Sequence, residues 1–256
     1  MRDYSWIRWQ VRVLLLIRLF FERGELYLEQ TYSLTEGNIG STLLRFAIPF
    51  LLASFLQALY GAADLYVVGK FDTAAGVSAV AIGSQVMQTI TGIVLGISTG
   101  GTVLLGRCVG ERNWKAAAYA IGTIGIVFLI LAMVVTPVML LLTENILLAM
   151  ETPQEAFASA KSYLMICSAG IPFIVGYNAV SGIFRGLGDS KTPLYFIFLA
   201  CVLNVGMDFL LVGAFHMGAA GAAIATIFAQ AVSFFTALLY MWRKGFSFPF
   251  HREYFR

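Results

Sequence analysis

The sequence predicts an all-α, polytopic membrane protein built as a bundle of six transmembrane helices. Two observations lead to this prediction. Of the 256 residues, 59% are hydrophobic and only 12% are charged, whereas soluble domains carry about 25% charged residues. The hydrophobic residues also form six long runs, and each reaches the roughly 20 residues that a helix needs to cross a bilayer. Composition therefore excludes a soluble domain, and a net charge of +3 does not indicate nucleic-acid binding.

The six spans are expected between breaks that contain charged and turn-forming residues. They cover about residues 43–69, 78–106, 119–142, 162–184, 193–213 and 219–241. The breaks are expected at 70–72, 107–115, 143–161, 185–191 and 215–218. Pro49 and Pro172 lie inside the first and fourth spans and predict kinks there. Residues 34–244 are thus predicted to form one transmembrane lobe.

The two ends of the chain carry no predicted span. Residues 1–33 are basic and contain tryptophans and leucines, which favours an amphipathic helix lying on the membrane surface. A disordered leader, or a start codon assigned too far upstream, fits this segment equally well. Residues 245–256 form a short, basic and aromatic tail.

The lysines and arginines predict the orientation of the chain. With the N-terminus in the cytoplasm, all but two of the 17 lysines and arginines lie on the cytoplasmic side, and the exceptions are Lys70 and Lys161. Cytoplasmic loops are enriched in these residues. Both termini are therefore expected in the cytoplasm.

Small residues recur at spacings typical of closely packed helices. Gly92, Gly96 and Gly100 form a stripe in the second span, and residues 218–223 are all glycine or alanine. In lipid, such residues let two helix backbones approach closely. They predict a packed bundle.

Only two of the 14 acidic residues, Asp64 and Asp208, lie within a span. A charge inside the bilayer costs several kcal/mol, so intramembrane acids usually have a function. Each aspartate lies five residues before a glycine at the end of an outward-running span, Gly69 or Gly213. Both are therefore expected about 8 Å below the outer boundary of the membrane.

Two polar side chains are expected at the same depth. Thr226 lies on the sixth span, and Asn204 precedes Asp208 by four residues and shares its helix face. Two carboxyl groups, an amide and a hydroxyl form an oxygen-rich set that suits a proton or a hard cation such as sodium. Asp64, Asn204, Asp208 and Thr226 are the predicted cation site.

A second set of polar residues is predicted inside the bundle. Gln57, Tyr60 and Asp64 follow one stripe of the first span, and Asn178 adds an amide in the fourth. Such a stripe either faces a water-filled cavity or forms hydrogen bonds between helices.

No set of residues in the sequence indicates an enzyme or a cofactor. His216 and His251 lie on opposite sides of the membrane, and the three cysteines lack metal-binding or redox spacing. The string from Gly96 to Gly100 matches a nucleophile elbow, but it lies mid-span and not at a strand-to-helix turn. Zinc, phosphate-loop and dinucleotide motifs are also missing from the sequence.

Four segments resemble MATE (multidrug and toxic compound extrusion) transporters. They are residues 56–69 in the first span, 184–193 at a cytoplasmic junction, 203–208 in the fifth span and 218–226 in the sixth. The resemblance runs from about Leu34 to Lys244 and covers the N-terminal six-helix lobe of the family. Members have two such lobes, with the drug passage between them, and the tail 245–256 resembles the start of the cytoplasmic link to the second lobe.

The resemblance implies the N-terminal half of a cation-coupled antiporter, driven by protons or sodium, that exports amphipathic and often cationic compounds from the cell. It implies a cation site at the four residues predicted above, cavity-lining roles for Gln57, Tyr60 and Asn178, and a bend of the first helix at Pro49. The implied partners are small molecules, membrane lipid and a second six-helix lobe, in a plasma-membrane protein without a cofactor.

Two other functions remain open from the sequence. The first is a flippase for a lipid-linked substrate, which would need cationic residues in the cavity. The spans offer none beyond Arg45, near the cytoplasmic edge. The second is a membrane subunit that does not transport. The chain itself is interpreted as a fragment, the product of a disrupted gene, or a half-transporter that pairs with another chain.

Overall fold

Apolar segments fold into helices throughout the part of the chain that the computed structural model describes, residues 39–244. The N-terminal extension (1–33) and the tail (245–256) named above lie outside the described residues. The helices are α1 (Ile39–Phe71), α2 (Ala74–Gly110), α3 (Trp114–Ala149), α4 (Gln154–Ala169), α5 (Ile171–Gly186), α6 (Lys191–Asp208), a π-helical segment (Phe209–Ala214) that continues α6, and α7 (Gly218–Lys244).

Six spans can be assigned within these residues, as the sequence predicts. Five are single helices by length and hydropathy, α6 being counted together with its π-helical continuation. The remaining span is the pair α4 and α5, bent by 46°. Every predicted span lies within its helix or bent pair, and each helix extends beyond the span. The extensions arise because backbone hydrogen bonding continues after the apolar side chains end.

The break expected at residues 143–161 is much shorter in the structure, so this prediction of a long loop is wrong. Helix α3 continues to Ala149 and α4 begins at Gln154, so the two helices are separated by only four residues. Lys161 on α4 forms an ion pair with Glu144 on α3. Hydropathy drops in this region because charged and polar side chains interrupt the apolar runs, but the helices continue through them.

The kink expected at Pro172 is present. The fourth span is broken at Gly170, and Pro172 lies in the first turn of α5, where its missing N–H would have no helical partner. Gly170 packs directly against Ile227 of α7, which leaves no room for a side chain. By contrast, α1 is one continuous helix across Pro49.

Helices α2 and α5 run parallel and in close contact. The Ser98 hydroxyl donates to the Asn178 carbonyl at 2.9 Å, and the Thr102 hydroxyl donates to the Gly182 carbonyl at 3.0 Å. Both contacts join residues 80 positions apart. Gly182 permits this approach, since a Cβ there would lie 2.5 Å from the Ser98 hydroxyl.

One of the two predicted packing stripes is not used for packing. Beside Gly92, Gly96 and Gly100 there is open space among the described residues, and all three are exposed. The run at the start of α7 does pack, and Ala219, Ala222 and Ala223 are buried in the core. Spacing identifies a face where a close approach is possible, but it does not say whether a partner lies there.

Candidate cation-binding site

Three helices bring the four predicted cation-site residues together. Asp64 lies on α1, Asn204 and Asp208 on successive turns of α6, and Thr226 on α7. The side chains of Asp64, Asn204 and Asp208 are almost completely buried, with exposures of 2%, 1% and 0%. Thr226 is half-buried. The layer predicted from depth is therefore a cluster in space.

Thr226 connects the cluster through its hydroxyl group. It donates a hydrogen bond to Asp64 Oδ2 at 3.0 Å and accepts one from Asn204 Nδ2 at 3.2 Å. The hydroxyl thus uses its single proton toward the carboxyl group and a lone pair toward the amide. This orients one oxygen of Asp64 and leaves the other to a further partner.

Four oxygens of the cluster are buried and accept no hydrogen bond from any described group. They are Oδ1 of Asp64, Oδ1 of Asn204, and both carboxyl oxygens of Asp208. Buried polar atoms nearly always have a partner, and an unpartnered one costs about 1–3 kcal/mol. The cluster is therefore rich in acceptors and short of donors, which a proton or a cation would correct.

The two carboxyl groups are close enough to interact directly. Two ionised carboxylates at such short range repel each other, and burial weakens the screening by water. The pair therefore favours a bound positive charge, either a proton on one carboxyl group or a metal cation between them. Among the described residues, no group of three or more His, Cys, Asp or Glu side chains forms a conventional metal site.

Asp208 lies immediately before the π-helical segment. The Phe215 N–H donates to the Leu210 carbonyl five residues earlier, at 3.0 Å, in place of the usual four. Such insertions widen one turn and are frequent at functional sites. No residue pattern in the sequence predicts this feature.

A second polar layer lies one helical turn from the cluster. Gln230 follows Thr226 by four residues on α7, and its Nε2 donates to the Tyr60 hydroxyl at 3.2 Å. Tyr60 precedes Asp64 by four residues on α1, and the side chain of Gln57 lies near its hydroxyl. Gln230 Oε1 is buried without a partner among the described residues.

Gln230 was missed in the sequence analysis, although a signal was present. Thr226, Gln230 and Ser233 occupy positions i, i+4 and i+7, which is one stripe of α7. The Ser233 hydroxyl donates to the Phe196 carbonyl of α6 at 2.9 Å. The stripe forms hydrogen bonds between helices, one of the two alternatives left open for the polar residues.

Asn178 does not join the other two predicted cavity residues. Its amide donates to the Ile174 carbonyl of its own helix at 2.8 Å. Its backbone carbonyl accepts from Ser98 on α2. Asn178 forms no hydrogen bond with Gln57 or Tyr60, so only those two form a connected group.

The fold and this cluster define a multi-pass membrane protein with a buried acid pair. Comparison with known proteins identifies the family. The sequence model of the MatE family matches residues 49–210, and the chain belongs to that family.

Curated relatives align with most of this chain but with only about half of their own length. The "Probable multidrug resistance protein YpnP" of Bacillus subtilis is 33% identical over 212 residues, which are 83% of this chain and 48% of the relative. The "Probable multidrug resistance protein NorM" of Thermotoga maritima is 28% identical over 199 residues, 76% of this chain and 43% of the relative.

Solved structures match over the same region. One, described as "MATE in the bent conformation", has a TM-score of 0.77 at 26% identity and covers 85% of this chain and 50% of its own. Another, an outward-facing multidrug resistance MATE family transporter, has a TM-score of 0.74 at 27% identity and covers 78% of this chain and 44% of its own. The resemblance to one lobe of a MATE transporter is therefore confirmed.

Proposed function

We propose that this chain is the N-terminal lobe of a cation-coupled efflux antiporter that exports amphipathic, often cationic compounds. The observation behind the proposal is the cluster of four buried oxygens without donors, located where α1, α6 and α7 meet. The names of the relatives, which refer to multidrug resistance and export, support the substrate class.

The coupling ion and the substrate are exchanged because both compete for the same negatively charged carboxyl groups. Asp64 and Asp208 balance one or two positive charges, which either a coupling ion or a cationic substrate supplies. The cluster lies toward the outer ends of its helices, since Asp64, Asp208 and Thr226 are six to eight residues, or about 9–12 Å, from them, so an ion from outside has a short path to it. When that ion binds, the carboxyl groups lose their attraction for a cationic substrate, which is then released outward.

Both a proton and sodium suit the oxygens that are present. A proton would bind to one carboxyl group and supply the missing donor to its neighbour. Sodium would take oxygens from Asp64, Asn204, Asp208 and Thr226, since hard cations prefer carboxylate, carbonyl and hydroxyl ligands. The chain needs no resident cofactor for either exchange.

Pro49 is proposed as the point at which α1 bends during transport. Proline removes one backbone hydrogen bond within a helix and clashes with the preceding turn, so bending costs less at this position. Asp64 lies on the same helix, so ion binding and the shape of α1 are physically connected. Two of the matching solved structures are described as MATE in bent and in straight conformations.

The proposal includes a second six-helix lobe and a defined place in the cell. Alternating access by rocking needs two units around one substrate site. The second lobe would be either a C-terminal half or another chain. The excess of lysine and arginine on one side of the predicted topology supports cytoplasmic termini in the plasma membrane.

The proposal is tested by neutralising each buried acid without changing its shape. Cells expressing the chain together with a second six-helix lobe, either unchanged or with Asp64→Asn or Asp208→Asn, are loaded with the cationic dye ethidium, and efflux is followed after an inward proton or sodium gradient is imposed. The matched control is Glu144→Gln, an exposed acid near the outer end of α3. We expect gradient-driven efflux to be lost in both aspartate variants and kept in the control; unchanged efflux in either aspartate variant would overturn the proposal.

Purified protein provides a readout that does not depend on transport. An ion that binds only the folded state raises its thermal midpoint with concentration. For the chain and its Glu144→Gln control, we expect the thermal midpoint to rise more with sodium than with potassium, or to rise as protons are added. For Asp64→Asn, we expect the thermal midpoint not to depend on either ion.

A further inference from the structure

The side chain of Arg185 turns inward from the cytoplasmic end of α5. Its Nη2 donates a hydrogen bond to the Ser98 hydroxyl of α2 at 3.2 Å. The guanidinium carbon lies 5.6 Å from the centre of the Phe50 ring of α1. By sequence, Arg185 belongs to a cytoplasmic loop, but its charged group lies between three spans.

The parallel contact of α2 and α5 gives the depth of this group. The Arg185 backbone is level with Leu105, because a Cβ on the next residue, Gly186, would touch that side chain. Ser98 precedes Leu105 by seven residues, or about 10 Å along the helix. Side chains on a helix lean toward its N-terminus, which for α5 is the interior of the membrane. The guanidinium therefore lies about 18 Å from the cytoplasmic end of α2.

The charge of Arg185 is not balanced by an acid among the described residues. Its single hydrogen bond goes to the neutral Ser98 hydroxyl, although a guanidinium has five N–H donors. Asp189, the nearest acid along the chain, instead accepts from the start of α6, with Lys191 N at 3.1 Å and Thr192 N at 3.0 Å. Arg185 is half-buried, so solvation compensates its charge only partly.

The other cytoplasmic junction shows an arginine without this arrangement. Arg107, near the end of α2, is 78% exposed and pairs with Glu111 at 2.9 Å. The two junctions look similar in sequence, but only the arginine of α5 points into the bundle without an acidic partner. The inward, unpaired arginine is therefore a property of α5 and not of every arginine at a cytoplasmic helix end.

We propose that Arg185, with Ser98 and Phe50, binds an oxyanion, a carboxylate or phosphate, carried on an apolar body. A guanidinium presents paired donors that match two oxygens of a carboxylate or phosphate. Phe50 offers an apolar surface next to the charge and is one-third exposed. The oxyanion supplies the negative charge that no described acid provides next to Arg185.

This site is distinct from the cation cluster and goes beyond the proposed function. Phe50 and Asp64 are 14 residues apart on α1, or about 21 Å. The lobe thus has a basic recognition point in its cytoplasmic half and an acidic one near its outer end. Arg185 is also a cation among the spans, which a flippase for a lipid-linked substrate would need and which the sequence indicates only at Arg45.

The test measures binding, so it can fail independently of the transport proposal. The full chain is purified in neutral maltoside detergent, and its thermal midpoint is recorded against dodecyl phosphate and against dodecyltrimethylammonium, which has the same tail with a cationic head. We expect dodecyl phosphate to stabilise the wild type, with affinity about 10- to 100-fold weaker in Arg185→Gln, the range for loss of a hydrogen bond to a charged group. Arg107→Gln is the matched control and should keep the wild-type affinity.

Further arms identify the source of the oxyanion and protect against misfolding. If millimolar inorganic phosphate displaces dodecyl phosphate, the site binds a free oxyanion. If inorganic phosphate does not displace it, the site binds an oxyanion that carries an apolar tail. If Arg185→Gln does not fold, Arg185→Lys keeps the charge but loses the paired donors, and we expect at least a threefold loss. Equal affinity in wild type and the Arg185 variants, or an equal loss in Arg107→Gln, would overturn the proposal.

Discussion

Thr226 offers the sharpest test of the cation cluster, because one hydroxyl connects two of its members. The change Thr226→Val keeps the shape of the side chain and removes that hydroxyl. Asp64 Oδ2 then loses its donor, and Asn204 Nδ2 loses its acceptor. Each buried group left without a partner costs about 1–3 kcal/mol. The two together therefore predict a decrease of about 2–6 kcal/mol in the free energy of unfolding, which is reduced by any water that reaches the half-buried position.

The same change should weaken ion binding. A side chain that orients a ligand typically contributes about 10- to 100-fold in metal affinity. We expect at least a tenfold rise in the sodium or proton concentration needed for half-maximal stabilisation. The assay is thermal unfolding of the purified chain in sodium and potassium buffers across a range of pH.

Thr236 provides a matched control on the same helix. It is also half-buried, but its hydroxyl donates only to the Val232 carbonyl of its own helix, at 2.7 Å. Thr236→Val should leave ion binding unchanged, and Thr226→Ser should restore most of it. If Thr226→Val and Thr236→Val have the same effect on ion binding, the cluster does not act through Thr226.

Three further changes test the surrounding structure. Gln230→Leu removes the donor to Tyr60, and we expect weaker dye binding with unchanged ion-dependent stabilisation; an effect on the ion alone would contradict this. Gly182→Ala places a methyl group against Ser98 and should lower the thermal midpoint by several degrees, whereas Gly96→Ala, beside open space, should not. Pro49→Ala restores a helical hydrogen bond and should slow dye efflux without changing ion affinity, and wild-type efflux would exclude a bend at this residue.

The positions of the spans and of the acid layer were predictable because both follow from distances along a helix. Counting residues from Asp64 and Asp208 to the glycines that follow them is enough to estimate depth, since each residue advances the helix by about 1.5 Å. Thr226 and Asn204 then follow from equal depth and helix face. The structure brings these residues together, with Thr226 bonded to both Asp64 and Asn204.

Contacts between particular helices were not predictable in the same way. The Gly92, Gly96 and Gly100 stripe has the spacing of a packing face but is exposed, because spacing contains no information about the neighbouring helix. Asn178 has the depth and polarity of a cavity residue, but its amide bonds its own helix backbone. The inward turn of Arg185 depends on the contact between α2 and α5, which no local pattern reveals.

In the proposed exchange, a coupling ion and a cationic substrate compete for Asp64 and Asp208. Its most direct test is to add ethidium to the purified chain, pre-equilibrated with protons or sodium in weak buffer, and to measure the ion released for each dye molecule bound. We expect stoichiometric release from the wild type and none from Asp64→Asn. Dye binding that releases no ion from the wild type, or the same release from Asp64→Asn, would contradict it.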